Sequence, residues 1–138
     1  MDNDFLIERN ILKIGHKVLT RRSDDLKLYD LTPNQSETLL FFDRHAEARI
    51  LDLKDYLKIS HQAARNIVER MKEKGLLRMA VSDGDARARK ITLTERGRLV
   101  CDKLKEKGTH LGNDLLRTLS EEEKRQLALL LDKIMDNI

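Results

Sequence analysis

Between residues 60 and 98 the spacing of apolar side chains changes from helical to alternating, and the order of elements this implies restricts the fold more than any other feature. Ser60 reads as a helix cap. Ala63, Ala64, Ile67, Val68 and Met71 then recur at the three- and four-residue steps that line one helix face. Gly75 is the expected stop, because a left-handed residue closes many helices and glycine adopts that conformation without strain. Upstream, Asp52 reads as the cap of a brief helix ending at Leu57, so the connection to Ser60 has the length of a helix-turn-helix turn. Downstream the period becomes two: residues 76–81 form one strand candidate, and Ile91 and Leu93 alternate with Lys90 and Thr92 in another. Ser82-Asp83-Gly84-Asp85 between them is a turn signal.

Two helices joined by a short turn and followed by a hairpin make a winged helix-turn-helix. Each piece is weak evidence alone; the order carries the assignment. Upstream, Thr32-Pro33-Asn34-Gln35 opens a helix with a cap, a proline at the first position and a capping box, and Leu39, Leu40, Phe41 and Phe42 make that helix a core element. The expected class is therefore mainly α with a small β-hairpin wing. Residues 32–94 form the winged helix-turn-helix core, and residues 1–31 and 95–138 form helical arms.

Both arms carry apolar stripes. Ile7, Ile11, Ile14 and Val18 share one face over residues 5–19, and residues 21–30 read as an end or connector. Thr94 caps a helix expected to reach about residue 119, with Val100, Leu104, Leu111 and Leu115 on one side. Ser120-Glu121-Glu122-Glu123 opens a last helix bearing Leu127, Leu130, Leu131, Ile134 and Ile138. Helices of this length need burial rather than propensity to be stable. A second copy of the chain is the expected cover, giving a two-fold homodimer, with folding back onto the chain's own core as the alternative.

Charge points to the partner. The net charge of the 138 residues is only +3, yet residues 60–98 hold ten Lys or Arg against five Asp or Glu, so this segment is strongly basic on a slightly acidic remainder. That is the electrostatic footprint of double-stranded DNA binding, with a solvated charged surface as the alternative. Aromatic content of 4% leaves little to stack bases on, which argues against single-strand readers. No stretch approaches the roughly 18–20 apolar residues of a membrane span. The first ten residues are acidic where a signal peptide is basic, and one cysteine fits a reducing compartment, so the expected location is the cytoplasm, with no membrane partner.

Residues 31–35 (Leu-Thr-Pro-Asn-Gln), Ser60 through Gly75-Leu76-Leu77, Asp85-Ala86-Arg87 and the run from Ile91 to Arg98 together resemble the MarR family of transcriptional regulators. The D-x-R followed by a strand ending in L-T-x-x-G is the most specific part, and the likeness covers nearly the whole chain. It implies a homodimeric regulator, most simply a repressor, reading a pseudo-palindromic operator and modulated by a small-molecule effector. Position by position, it implies that Ser60 starts the recognition helix and that Gln62, Arg65 and Asn66 face the major groove. It likewise gives Arg87 to the minor groove and makes Asp85 the acid that holds the wing through an arginine. Many members have Thr or Ser then Arg where this chain has Arg65-Asn66, so base preference does not transfer, and Met79 stands where an arginine is frequent.

The chemistry of the side chains supports such roles independently. Arginine fits guanine O6/N7 and asparagine fits adenine N6/N7, which suits Arg65 and Asn66. His61 and Gln62 can reach bases or backbone, Arg70 a phosphate or Asp85, and Arg89 and Lys90 the backbone. Arg87 suits a narrow minor groove through its charge. Cys101 lies on a leucine-bearing face and reads as a buried inert thiol. His16, His45, His61 and His110 show no metal-ligand spacing, and no nucleotide-binding or nucleophile motif is present, so neither a cofactor nor catalysis is expected. A winged-helix module that binds only protein remains the competing class; it leaves the basic segment and the wing arginines unexplained.

Overall fold

The computed structural model describes residues 2–82 and 85–138, and the side chains of all of these except residues 81, 82 and 85–89. In chain order the elements are α1 (Asn3–Leu28), α2 (Pro33–Arg44), α3 (Ile50–Leu57), α4 (His61–Glu73), β1 (Leu77–Ser82), β2 (Asp85–Leu93), α5 (Glu95–Leu115) and α6 (Glu121–Met135). The strands form one antiparallel pair, so the mainly α architecture with a small hairpin is as expected. The chain divides into two compact units, Met1–Lys105 and Glu106–Ile138.

The first unit is built around α2. Thr32 Oγ1 accepts from the Gln35 amide at 3.1 Å while Gln35 Oε1 accepts from the Thr32 amide at 3.2 Å, the reciprocal capping box the sequence predicts. Leu39, Phe41 and Phe42 are buried, with Phe41 and Phe42 edge to face at 5.2 Å. Against α2 pack α3, α4 and the base of the hairpin. Leu53, Ala64, Val68, Met71, Leu77 and Ile91 close the core, together with Leu26 and Leu31 before it and Cys101 and Leu104 of α5 after it. The buried hydroxyl of Thr38 donates to the Asn34 carbonyl at 2.7 Å, so this polar group is satisfied inside the apolar cluster.

Three helix bounds differ from the sequence reading, and β1 lies one residue later than the expected 76–81, with Ser82 and Asp85 paired as strand residues. Helix α1 runs through residues 21–28, where a connector was expected. No glycine or proline interrupts residues 16–32, and Leu26 docks into the core at 5% exposure, so the charged stretch is simply the outer face of a longer helix. It ends where the Leu31 amide donates to the Leu26 carbonyl and Asp30 turns left-handed at φ 54°. Helix α3 starts at Ile50 rather than after Asp52. Asp52 sits one turn inside, its carboxylate accepting from the Arg49 amide at 2.8 Å. Helix α5 stops at Leu115, short of residue 119, because Ser120 must be extended (ψ 164°) to cap α6. Residues 116–119 make that change of direction in a turn.

In the second unit, Ser120 Oγ accepts from the Glu123 amide at 3.1 Å and Glu123 Oε1 from the Ser120 amide at 2.9 Å. These bonds hold the Glu123 carboxyl below its ordinary value. Helix α6 has no buried residue; Leu129, Leu130, Leu131, Ile134, Met135 and Ile138 are all exposed. Among the described residues no helix is long and apolar enough to cross a membrane.

Candidate nucleic-acid interface

Helix α4 owes its start to Ser60, whose hydroxyl accepts from the Ala63 amide at 3.1 Å. Just before it, Lys58 closes α3 in a left-handed conformation (φ 55°), with the Ile59 amide bonded back to the Lys54 carbonyl at 3.2 Å. Three residues thus turn the chain from α3 into α4. The inner face, Ala64, Val68 and Met71, is at most 1% exposed, which leaves no freedom to rotate the helix about its axis. His61, Gln62, Arg65, Asn66, Glu69 and Arg70 are consequently all exposed on the outer side. The structure brings five of the expected site residues together there, and two of them are bonded: Gln62 Nε2 donates to Asn66 Oδ1 at 3.0 Å.

The far end of α4 is held by three devices. Gly75 is left-handed at φ 75°, with the Leu76 amide donating to the Met71 carbonyl at 2.9 Å and its own amide to Lys72 at 3.0 Å. Lys74 Nζ donates to the Asp30 carbonyl and to Gln35 Oε1 at 3.0 Å, joining α4 to the end of α1 and the start of α2. Thr94 Oγ1 donates to the Gly75 carbonyl at 2.5 Å and accepts from the Gly97 amide at 3.0 Å, while the Thr94 amide donates to the Leu76 carbonyl at 3.1 Å. Gly97 itself lies so close to the Leu76 carbonyl that a Cβ there would stand 2.0 Å from the oxygen. The L-T-x-x-G signature is therefore the hinge pin of α4, the hairpin and α5.

In the hairpin, Leu77 pairs with Leu93 and Met79 with Ile91 on the core face; Arg78 pairs with Thr92 and Ala80 with Lys90 on the other. Lys90 is on the outward face as expected, but it is not a lone cation: Glu47, in the α2–α3 connection, lies 3.5 Å from its ammonium. Arg78 is exposed on the same face and was not singled out by the sequence reading, although the alternation Leu77-Arg78-Met79-Ala80 marks it as outward. The backbone of Asp85, Arg87 and Arg89 belongs to β2, and the ladder is irregular between Val81 and Ser82. The side chains of Asp85, Arg87 and Arg89, and the turn residues Asp83 and Gly84, lie outside the described residues.

Helix α5 is fastened to α2 through Asp43. Arg98 Nη1 lies 2.6 Å from Asp43 Oδ1, and Lys105 Nζ binds Oδ2. The Lys105 hydrogen bond, aided by Arg98 and opposed by burial, holds the Asp43 carboxyl below its ordinary value. Beside this pair Cys101 is fully buried, and burial together with Asp43 pushes its thiol up to about 11. Next to it, a cleft of about 410 Å³ is lined by Glu37, Leu40, Phe41, Arg44, His45, Tyr56 and Lys105. Tyr56 stacks on Phe41 at 4.9 Å. Among the described residues no group of three or more His, Cys, Asp or Glu is arranged to hold a metal ion.

The comparisons with known proteins agree with this geometry. A family model described as MarR family matches residues 29–88, the stretch from the end of α1 into the wing. The HTH-type transcriptional regulator YfiV of Bacillus subtilis is 28% identical over 123 residues, spanning 86% of this chain and 76% of that protein. Among solved structures, the S. aureus MepR–DNA complex matches with a TM-score of 0.82 at 22% identity, covering 99% of each chain. The transcriptional regulator SlyA matches with a TM-score of 0.83 at 23% identity, over 95% of this chain and 92% of that one. At these identities the solved structures speak for the fold.

Proposed function

We propose, from the match of residues 29–88 to a MarR family model, that the chain is a member of that family and a sequence-specific DNA-binding transcriptional regulator, acting in the cytoplasm as a homodimer on a pseudo-palindromic operator. The observation that carries this reading is the outer face of α4. A helix locked by its buried inner face presents His61, Gln62, Arg65, Asn66 and Arg70 together to solvent, directly after a three-residue turn and directly before a hairpin. Such a helix fits the major groove, roughly 12 Å wide, with its N-terminal residues against the base edges. Arg65 is suited to guanine and Asn66 to adenine; Arg70, Arg78 and Lys90 are suited to phosphates, and Arg89 joins them by its place in the wing. The resemblance gives Arg87 to the adjacent minor groove and Asp85 to the support of the wing.

The homodimer is supported by apolar faces that stay exposed among the described residues. Phe5, Ile7, Ile11 and Ile14 on α1 are 45–52% exposed, and Leu130, Leu131 and Ile134 on α6 are 39–56% exposed. Patches of this kind mark association surfaces. A two-fold dimer sets its recognition helices in successive major grooves, roughly 34–36 Å apart, which is why the operator is pseudo-palindromic. In the same reading the protein represses, and a small-molecule effector seated in the cleft against Phe41, Tyr56 and Arg44 shifts the spacing of the two helices.

Fluorescence anisotropy against DNA from upstream of the protein's own gene, with scrambled DNA as control and a salt series, tests the reading. Tight binding to the first duplex with a steep negative salt dependence is the expected result. Absence of binding to either duplex at low salt overturns it in favour of a protein-interaction module.

A further inference from the structure

On the exposed face of α4, Gln62 and Asn66 stand one helical turn apart, and Gln62 Nε2 donates to Asn66 Oδ1 at 3.0 Å. A bond between two solvated amides adds little to stability, because water offers each of them the same partners. Its effect is on direction. A primary amide carries an acceptor on one side and two donor hydrogens on the other, and the bond between the two side chains decides which side faces outward. With Oδ1 directed to Gln62, Asn66 presents its Nδ2 donor; with Nε2 directed to Asn66, Gln62 presents its Oε1 acceptor.

We propose that Gln62 and Asn66 read the major groove as one bonded unit, an acceptor followed by a donor, and that Gln62 is a positioning residue for the base preference of Asn66. The inference rests on α4 being the recognition helix. Gln62 Oε1 takes an amino group, adenine N6 or cytosine N4, and Asn66 Nδ2 takes an acceptor, a purine N7 or O6 or a thymine O4. An unassisted asparagine engages adenine with both of its atoms; here the Oδ1 is committed sideways, so Asn66 contributes the donor and Gln62 the acceptor. Arg65 carries only donors on a separate stem, and its preference is independent of the pair.

The test is selection of duplexes from a randomised library by the full-length protein and its Gln62→Ala, Asn66→Ala and doubly substituted variants. Both substitutions are on exposed positions, and an unchanged thermal midpoint establishes that each of the three variants is folded. The expected result is that both single variants relax the same base pairs by about tenfold and that the double variant is no worse than either. Gln62→Glu supplies a second readout. It keeps the length of the side chain but has no donor for Asn66 Oδ1, so the Asn66 amide turns over and its preferred base edge switches from acceptor to donor. Losses at different base pairs that add in the double variant, with tight binding retained, overturn the coupling and leave the regulator standing. A wild-type protein that selects no sequence at all overturns both.

Discussion

At single residues the structure separates side chains that hold α4 and its neighbours in place from those exposed on its outer face. Gly97 is the clearest of the first kind. Any Cβ meets the Leu76 carbonyl at 2.0 Å, so Gly97→Ala should cost at least about 2 kcal/mol of stability, at the upper range of overpacking penalties; urea unfolding measures it. Lys58 is the opposite case. It pays for a left-handed conformation (φ 55°) that glycine adopts freely, and Lys58→Gly should raise stability by about 0.5–1 kcal/mol in the same assay. Arg65 belongs to the second kind: Arg65→Ala should leave folding intact and relax preference at one base pair by about 1–3 kcal/mol, read in competition binding with base-substituted operators. Cys101 belongs to neither. Fully buried, with its thiol held near 11, it should react with thiol reagents at pH 8 only on the timescale of unfolding.

At the scale of elements, the fastening of α5 to α2 has a pH signature. Asp43 has its folded pKa lowered from 3.8 by Lys105 and Arg98, so its contribution is complete above that ordinary value and is lost as the pH falls through the folded one. Wild-type protein should therefore lose this stability as the pH falls below about 4, and Asp43→Asn should be weaker at pH 7 with a flatter acid limb; thermal melts across the range decide it. The same element scale shows what could be read from the sequence. Caps were legible, since Thr32, Ser60, Thr94 and Ser120 act through neighbours three residues away, and so were the inner faces of α2 and α4, since burial writes itself as periodicity. The continuation of α1 through residues 21–28 was not, because charges on a solvated helix face look like a connector when the anchoring Leu26 is a single apolar residue. Nor were the partners of Lys74 and Lys90. Asp30, Gln35 and Glu47 lie some forty residues away along the chain, and only tertiary packing brings them close.

For the molecule as a whole, the exposed apolar stripes of α1 and α6 are the dominant fact, and association is the property to perturb. Ile14→Glu together with Leu131→Glu should convert the protein to monomer in light scattering, leave the helix content of the first unit intact, and weaken operator binding while sparing weak salt-dependent binding to any DNA. Helix α1 docks on the core through Leu26, followed by Leu31 and the Lys74–Asp30 link, and is continuous from Asn3 to Leu28. Its length is therefore as constrained as its composition. Each residue inserted between Val18 and Leu26 would turn the Phe5–Ile14 stripe by about 100° around the helix axis while every side chain kept its identity, whereas seven inserted residues would bring it back to within about 20°. Tolerance to insertions along this helix should consequently rise and fall with the helical repeat, a rhythm that no list of its residues would disclose.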